Sequence, residues 1–129
     1  MTNKERKEFE KKAAEAFNRL PAWIKGKMDN VAITIEELVD EETVHDLHLD
    51  SHMDLLGLYR GVPKTNRENA GVAFPDNITL YVLPILDEAD VKGKTVEDVI
   101  YETLWHEVAH HFGLGEADVE KREKEEFKD

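Results

Sequence analysis

His106, Glu107 and His110 stand in the order His-Glu-x-x-His, and this is the part of the 129-residue chain best suited to chemistry. On a helix, residues four apart lie one turn apart on the same face, so the two imidazoles can converge on one metal ion. Glu107 projects beside them, where it could take a proton from a metal-bound water. Zinc accepts nitrogen and oxygen ligands in tetrahedral geometry, and a catalytic zinc keeps three protein ligands and one open position. The third ligand must come from chain that turns back after the helix. Gly113 permits that turn, and Glu116 follows three residues later. Glu116 is thus the candidate third ligand, with Asp118 and Glu120 as acids that spacing alone does not separate from it. One zinc ion so held would lower the pKa of its water towards about 7. Glu107 would accept the proton as the water attacks a polarised carbonyl, then pass it to the leaving amine. Tyr59, Arg60, Arg67 and Tyr81 are alternatives for a second electrophile. His111 lies about 100° round the helix from His110, a position suited to packing or to bonding a ligand from behind. The competing reading is a buried helix whose histidines bond carboxylates such as Glu102 and Glu107.

The helix that must carry these groups is well marked. Thr95 is a good N-cap, with Asp98 three residues on. The spacing predicts a helix from about Val96 to Phe112, stopped at Gly113. One side holds Ile100, Tyr101, Leu104, Trp105, Val108, Ala109 and Phe112, about half the circumference, so the helix should be largely buried. The remaining window holds Thr103, His106, Glu107 and His110. Buried polar groups left unpaired cost about 1–3 kcal/mol each, and a metal ion would partner both histidines at once.

Other segments supply the frame. Lys4 to Leu20 reads as an amphipathic helix, with Phe9, Ala13, Ala16, Phe17 and Leu20 at helical spacing and Pro21 closing it. Val31 to Glu36 alternates as a half-buried strand. Glu37 to Asp54 is an acidic loop, with room for one helical turn or a lid, and contains His45, His48 and His52. His48 and His52 have ligand spacing, but no third ligand is fixed beside them, and exposed histidines are the plainer reading. Leu55 to Val62 is a short strand, Pro63 to Gly71 a polar connection, and Gly71 to Phe74 a further extended piece. Ile78 to Leu83 is a strand whose Pro84 implies a sheet edge. Glu116 to Asp129 should form a short, charged final helix. The fold class expected is α+β over a single domain, residues 1–129. An N-terminal helix packs on a small mixed, mainly antiparallel sheet, with a buried His-Glu-x-x-His helix and a short C-terminal helix.

Composition narrows the functions. The formal charge of −12 argues against nucleic acid and anionic membranes, which draw on clustered Lys and Arg. The chain has no cysteine, which excludes disulfides, thiolate metal sites and a cysteine nucleophile. The charged N-terminus lacks the apolar stretch of a signal peptide, and no run reaches the roughly 20 apolar residues of a membrane span. A cytoplasmic location without a pro-segment is expected.

At these residues the sequence resembles the zincin metallopeptidases. His106-Glu107-x-x-His110-x-x-Gly113-x-x-Glu116 is similar to the metzincin pattern, with an acid where metzincins carry a third histidine. It is closer to a group of small bacterial proteins, the minimal zincin-like metallopeptidases. These share a His-Glu-x-x-His-His/Tyr-Phe-Gly stretch followed by an acid, as in His106 to Glu116. They also share segments like Leu55 to Gly61 and Pro75 to Tyr81. The resemblance implies an N-terminal helix on a small mixed sheet, a metal helix behind a cleft, and a short closing helix. In zincins an edge strand holds an extended peptide or protein substrate, and Ile78 to Leu83 is the candidate edge here. Two alternatives to a zinc peptidase follow. A metal-dependent endoribonuclease family spaces three histidines as His106, His110 and Glu116 are spaced, but lacks a base at the place of Glu107 and would meet an acidic chain here. A catalytically silent metal-binding or interaction module is the other. Peptide deformylase shares His-Glu-x-x-His but needs a cysteine ligand, which is absent.

Overall fold

A computed structural model describes residues 1–28, 30–61 and 76–111. The chain opens with helix α1 (Asn3–Arg19) and short helix α2 (Ala22–Lys27), followed by strand β1 (Val31–Glu36) and helix α3 (Glu41–Asp46). A single 3-10 turn (His52–Asp54) leads into strand β2 (Gly57–Arg60). Strand β3 (Asp76–Tyr81) runs directly into helix α4 (Val82–Lys92), and helix α5 (Val96–His111) carries the His-Glu-x-x-His residues.

Local chemistry explains most of these boundaries. Thr2 caps α1 by accepting from the Glu5 N–H while Glu5 reaches back, a reciprocal capping box. Asp40 caps α3 by accepting from the Thr43 N–H at 2.7 Å. Thr95 caps α5 through the Asp98 N–H at 3.1 Å, as its spacing predicts. Gly93 ends α4 in the left-handed region at φ 65°, which glycine adopts without strain.

The sheet is mixed, in the order β1-β3-β2. The β1/β3 pair is parallel, from Val31 opposite Asp76 to Glu36 opposite Tyr81. The β2/β3 pair is antiparallel and shorter, from Gly57 opposite Leu80 to Arg60 opposite Asn77. Two sequence expectations are corrected. The segment from Ile78 is no edge: β3 is bonded on both sides, and its Ile78 and Leu80 are fully buried. Pro84 does not end a strand at an edge either. It lies in the first turn of α4, where the missing N–H has no helical partner to lose. The 3-10 turn and α3 also give the acidic Glu37–Asp54 stretch more structure than a loop with one helical turn.

The core lies between the helices and the sheet. Phe9, Ala13 and Ala16 of α1, with Leu20 and Ile24, meet Val99, Ile100, Leu104, Trp105 and Val108 of α5. Trp105 is 1% exposed and meets Trp23 edge-on, 5.7 Å between ring centres. One ion pair and one cation–π contact join α1 to the start of α5: Arg19 reaches Asp98 at 3.1 Å, and its guanidinium lies 4.7 Å from the centre of the Tyr101 ring. Arg6 donates to the Ile35 carbonyl at 2.7 Å, joining α1 to β1. In the sheet, Asn77 bonds Thr34 at 2.6 Å and accepts from Thr79 at 3.0 Å, so neither amide nor hydroxyl is left unpaired.

Candidate functional site

Helix α5 is apolar on the side that meets α1, α2 and the sheet. Val99, Ile100, Tyr101, Leu104, Trp105, Val108 and Ala109 are all buried there. That burial leaves the polar window expected from the sequence on an adjoining face, which meets β2 through Thr103 and Glu107. His106 and Glu107 are half-buried and His110 is exposed. The imidazole rings of His106 and His110 lie 5.9 Å apart between centres, with their planes inclined by 19°. One turn of helix therefore presents two imidazoles side by side, a donor pair that zinc accepts.

Glu107 lies against the edge of β2. Burial pushes its carboxyl above the usual carboxylate range, opposed by the Tyr59 backbone N–H and by His110. The strand pairing explains why that N–H is available. Tyr81 donates to the Leu56 carbonyl at 2.9 Å, which sets the bonded positions of the β2/β3 ladder. Alternation along an antiparallel pair then turns the backbone groups of Gly57 and Tyr59 away from β3. The Tyr59 N–H faces outward and meets the Glu107 carboxylate.

A cleft of about 290 Å³ opens beside these groups, with Asp54, Leu55, Leu56, Gly57, Glu88, Lys92, Val99, Glu102, Thr103, His106 and Glu107 on its walls. A cavity of about 320 Å³ lies between α1 and α4, lined by residues including Glu8, Phe9, Leu83 and Leu86, and carries no imidazole. Of the expected site residues, His106 and Glu107 stand on the walls of the first, and His110 does not.

The remaining site expectations divide clearly. Glu116, with Asp118 and Glu120, lies outside the described residues, as do Gly113, Arg67 and the final helix. Among the described residues, no three His, Asp or Glu side chains form a group that could hold a metal ion. This bears on the His48/His52 pair as well. His45 and His48 are exposed, and His48 adopts φ 55° just beyond α3, a left-handed stop more usual for glycine or asparagine. Of the possible second electrophiles, Arg60 donates to Thr43 at 2.9 Å and Tyr81 is buried, its phenol pushed up by that burial. Tyr59 donates to Asp76 at 2.8 Å, and its ring stacks on His111 at 3.8 Å. Sequence reasoning assigns His111 a packing role but does not find its partner. The available signal is Gly57-x-Tyr59-x-Gly61, since glycine inside a strand marks close approach of another element.

No helix among the described residues is long and apolar enough to cross a membrane. No curated protein matches the chain. The zincin-like metallopeptidase family model matches residues 28–126, a span that includes the sheet, the cleft and all of α5. The chain belongs to the zincin-like metallopeptidase family.

Proposed function

We propose that this protein is a zinc-dependent peptidase that hydrolyses peptide or amide bonds in an extended substrate. The observation that carries the reading is the pairing of His106 and His110 one helical turn apart, with the half-buried Glu107 next to His106 at the wall of a cleft. His106 and His110 would hold one zinc ion, and Glu116 is the proposed third ligand. Bound zinc would supply Lewis-acid polarisation of the scissile carbonyl and a water acidic enough to lose a proton near neutrality.

The chain's own groups then have separable tasks. Glu107 is the general base: burial raises its proton affinity, and the Tyr59 N–H holds one carboxylate position. Having accepted a proton, it is placed to return it to the leaving amine. The chain's acidity supports a peptide over an RNA substrate, whose phosphates it would repel.

The test compares wild type with Glu107→Gln, both loaded with zinc and matched in zinc content, on a broad peptide mixture. Cleavage by wild type that falls by at least about a hundredfold in Glu107→Gln supports the proposal. Equal cleavage by both, or none by either, contradicts it.

A further inference from the structure

Strand β2 and helix α5 touch at regular intervals. A side chain on Gly57 would meet Thr103, its Cβ only 2.7 Å from the Thr103 methyl. The Tyr59 backbone faces Glu107, and the Tyr59 ring stacks on His111. A side chain on Gly61 would meet His111, its Cβ 3.2 Å from Cε1. The strand thus contributes alternate residues 57, 59 and 61, and the helix contributes 103, 107 and 111. Four residues of strand advance about 13 Å and eight residues of helix about 12 Å, so the two rows stay in step. The helical row passes directly beside His106 and His110.

We propose that Tyr59 is a positioning residue for the candidate metal site, acting through Glu107 and His111. Its N–H holds the Glu107 carboxylate at the strand edge. Its ring, stacked nearly parallel to His111 at 18°, holds the last turn of α5, on which His110 stands. Its hydroxyl is held in turn by Asp76 at the start of β3. The glycines on either side of it differ in weight: Gly57 lets the strand approach Thr103, whereas a Cβ at Gly61 would ask the exposed His111 ring to shift by only a few tenths of an ångström. The proposal rests on the zinc reading only where it speaks of the metal, because the contacts themselves belong to the chain alone.

The test therefore has a metal-free arm and a metal arm, using Tyr59→Phe and Tyr59→Leu in the full chain. Tyr59→Phe keeps the backbone and the stack, whereas Tyr59→Leu removes the stack. In metal-free protein, amide exchange at Val108 to His111 should quicken about tenfold in Tyr59→Leu, the scale of one aromatic stack, with Ile100 to Leu104 unchanged. Tyr59→Phe should stay within about threefold of wild type. With cobalt(II) in place of zinc, the visible absorption band of wild type and Tyr59→Phe should coincide, while that of Tyr59→Leu shifts and its cobalt affinity falls. Exchange that is unchanged in Tyr59→Leu, or quickened equally along all of α5, overturns the proposal. So does a cobalt spectrum that Tyr59→Leu leaves as in wild type. A wild-type protein that takes up no cobalt refutes the metal reading instead, and the exchange arm still decides whether Tyr59 positions the helix end.

Discussion

Adding one methyl group at Gly57 should strain the contact between β2 and helix α5, and removing one from Thr103 should relieve it. The Cβ of Gly57→Ala would lie 2.7 Å from Thr103 Cγ2 and 3.3 Å from the Thr79 carbonyl oxygen. Carbon atoms rest at about 3.5–4.0 Å, so the strand or the helix must yield by about 1 Å. Neither moves easily: β2 is bonded to β3, and Thr103 is itself fixed by its hydroxyl bond to the Val99 carbonyl at 2.8 Å. Overpacking of this kind costs about 1–3 kcal/mol. Loss of glycine's freedom in the unfolded chain returns about 0.4–1 kcal/mol. Gly57→Ala should thus destabilise by about 0.5–2 kcal/mol, a fall in melting temperature of about 2–8 °C for a domain of this size. Thr103→Ser deletes the opposing methyl and keeps the hydroxyl, at a cost of about 1 kcal/mol. In the double variant the two effects should not add, and the cycle should show a favourable coupling of about 0.5–2 kcal/mol in urea or thermal melts of all four proteins. Costs that add to within about 0.4 kcal/mol would refute the close approach of β2 to α5.

Other outcomes follow from the same structure. Thr95→Ala should lower stability by about 1 kcal/mol in urea melts by removing the N-cap of α5, with secondary structure at 25 °C otherwise unchanged. Glu116→Ala should weaken zinc binding by more than the roughly 10–100-fold typical of a residue that only supports a ligand; unchanged affinity would move the ligand role to Asp118 or Glu120. Asp40 is held below the usual carboxylate range by the Thr43 hydroxyl and N–H, so its stabilisation is present above the unfolded pKa and lost as pH falls through the folded one. Asp40→Asn should therefore lower the melting temperature at pH 7 and leave it unchanged at pH 2; an equal effect at both would sink that assignment.

Much of the frame is legible in the sequence because its signals are local. Thr95, Asp98 and the apolar period mark the start of α5 at Val96, and alternation marks β1 at Val31–Glu36. Helix α4 is not legible in the same way. Ile78 to Leu86 is a nearly continuous apolar run, and such a run does not distinguish a buried strand from a buried helix. Pro84 fits a strand end and a first helical turn equally well by type, and only the tertiary fold decides for the helix. The central place of β3 is hidden for a related reason. Its parallel partner β1 lies more than forty residues earlier, and no turn signal links them. At the candidate site, the placing of His106, Glu107 and His110 on one helix is legible from their spacing. The contacts of Tyr59 with His111 and Glu107 are not, because they depend on β2 arriving beside α5.

The central claim is that His106 and His110 hold a catalytic zinc ion. Zinc titration of metal-free protein, followed by direct metal analysis, tests it most directly. One equivalent should bind to wild type, and His106→Ala and His110→Ala should each lose it while keeping the folded far-ultraviolet spectrum. A wild type that takes up no zinc, or variants that bind it as tightly as wild type does, would contradict the account.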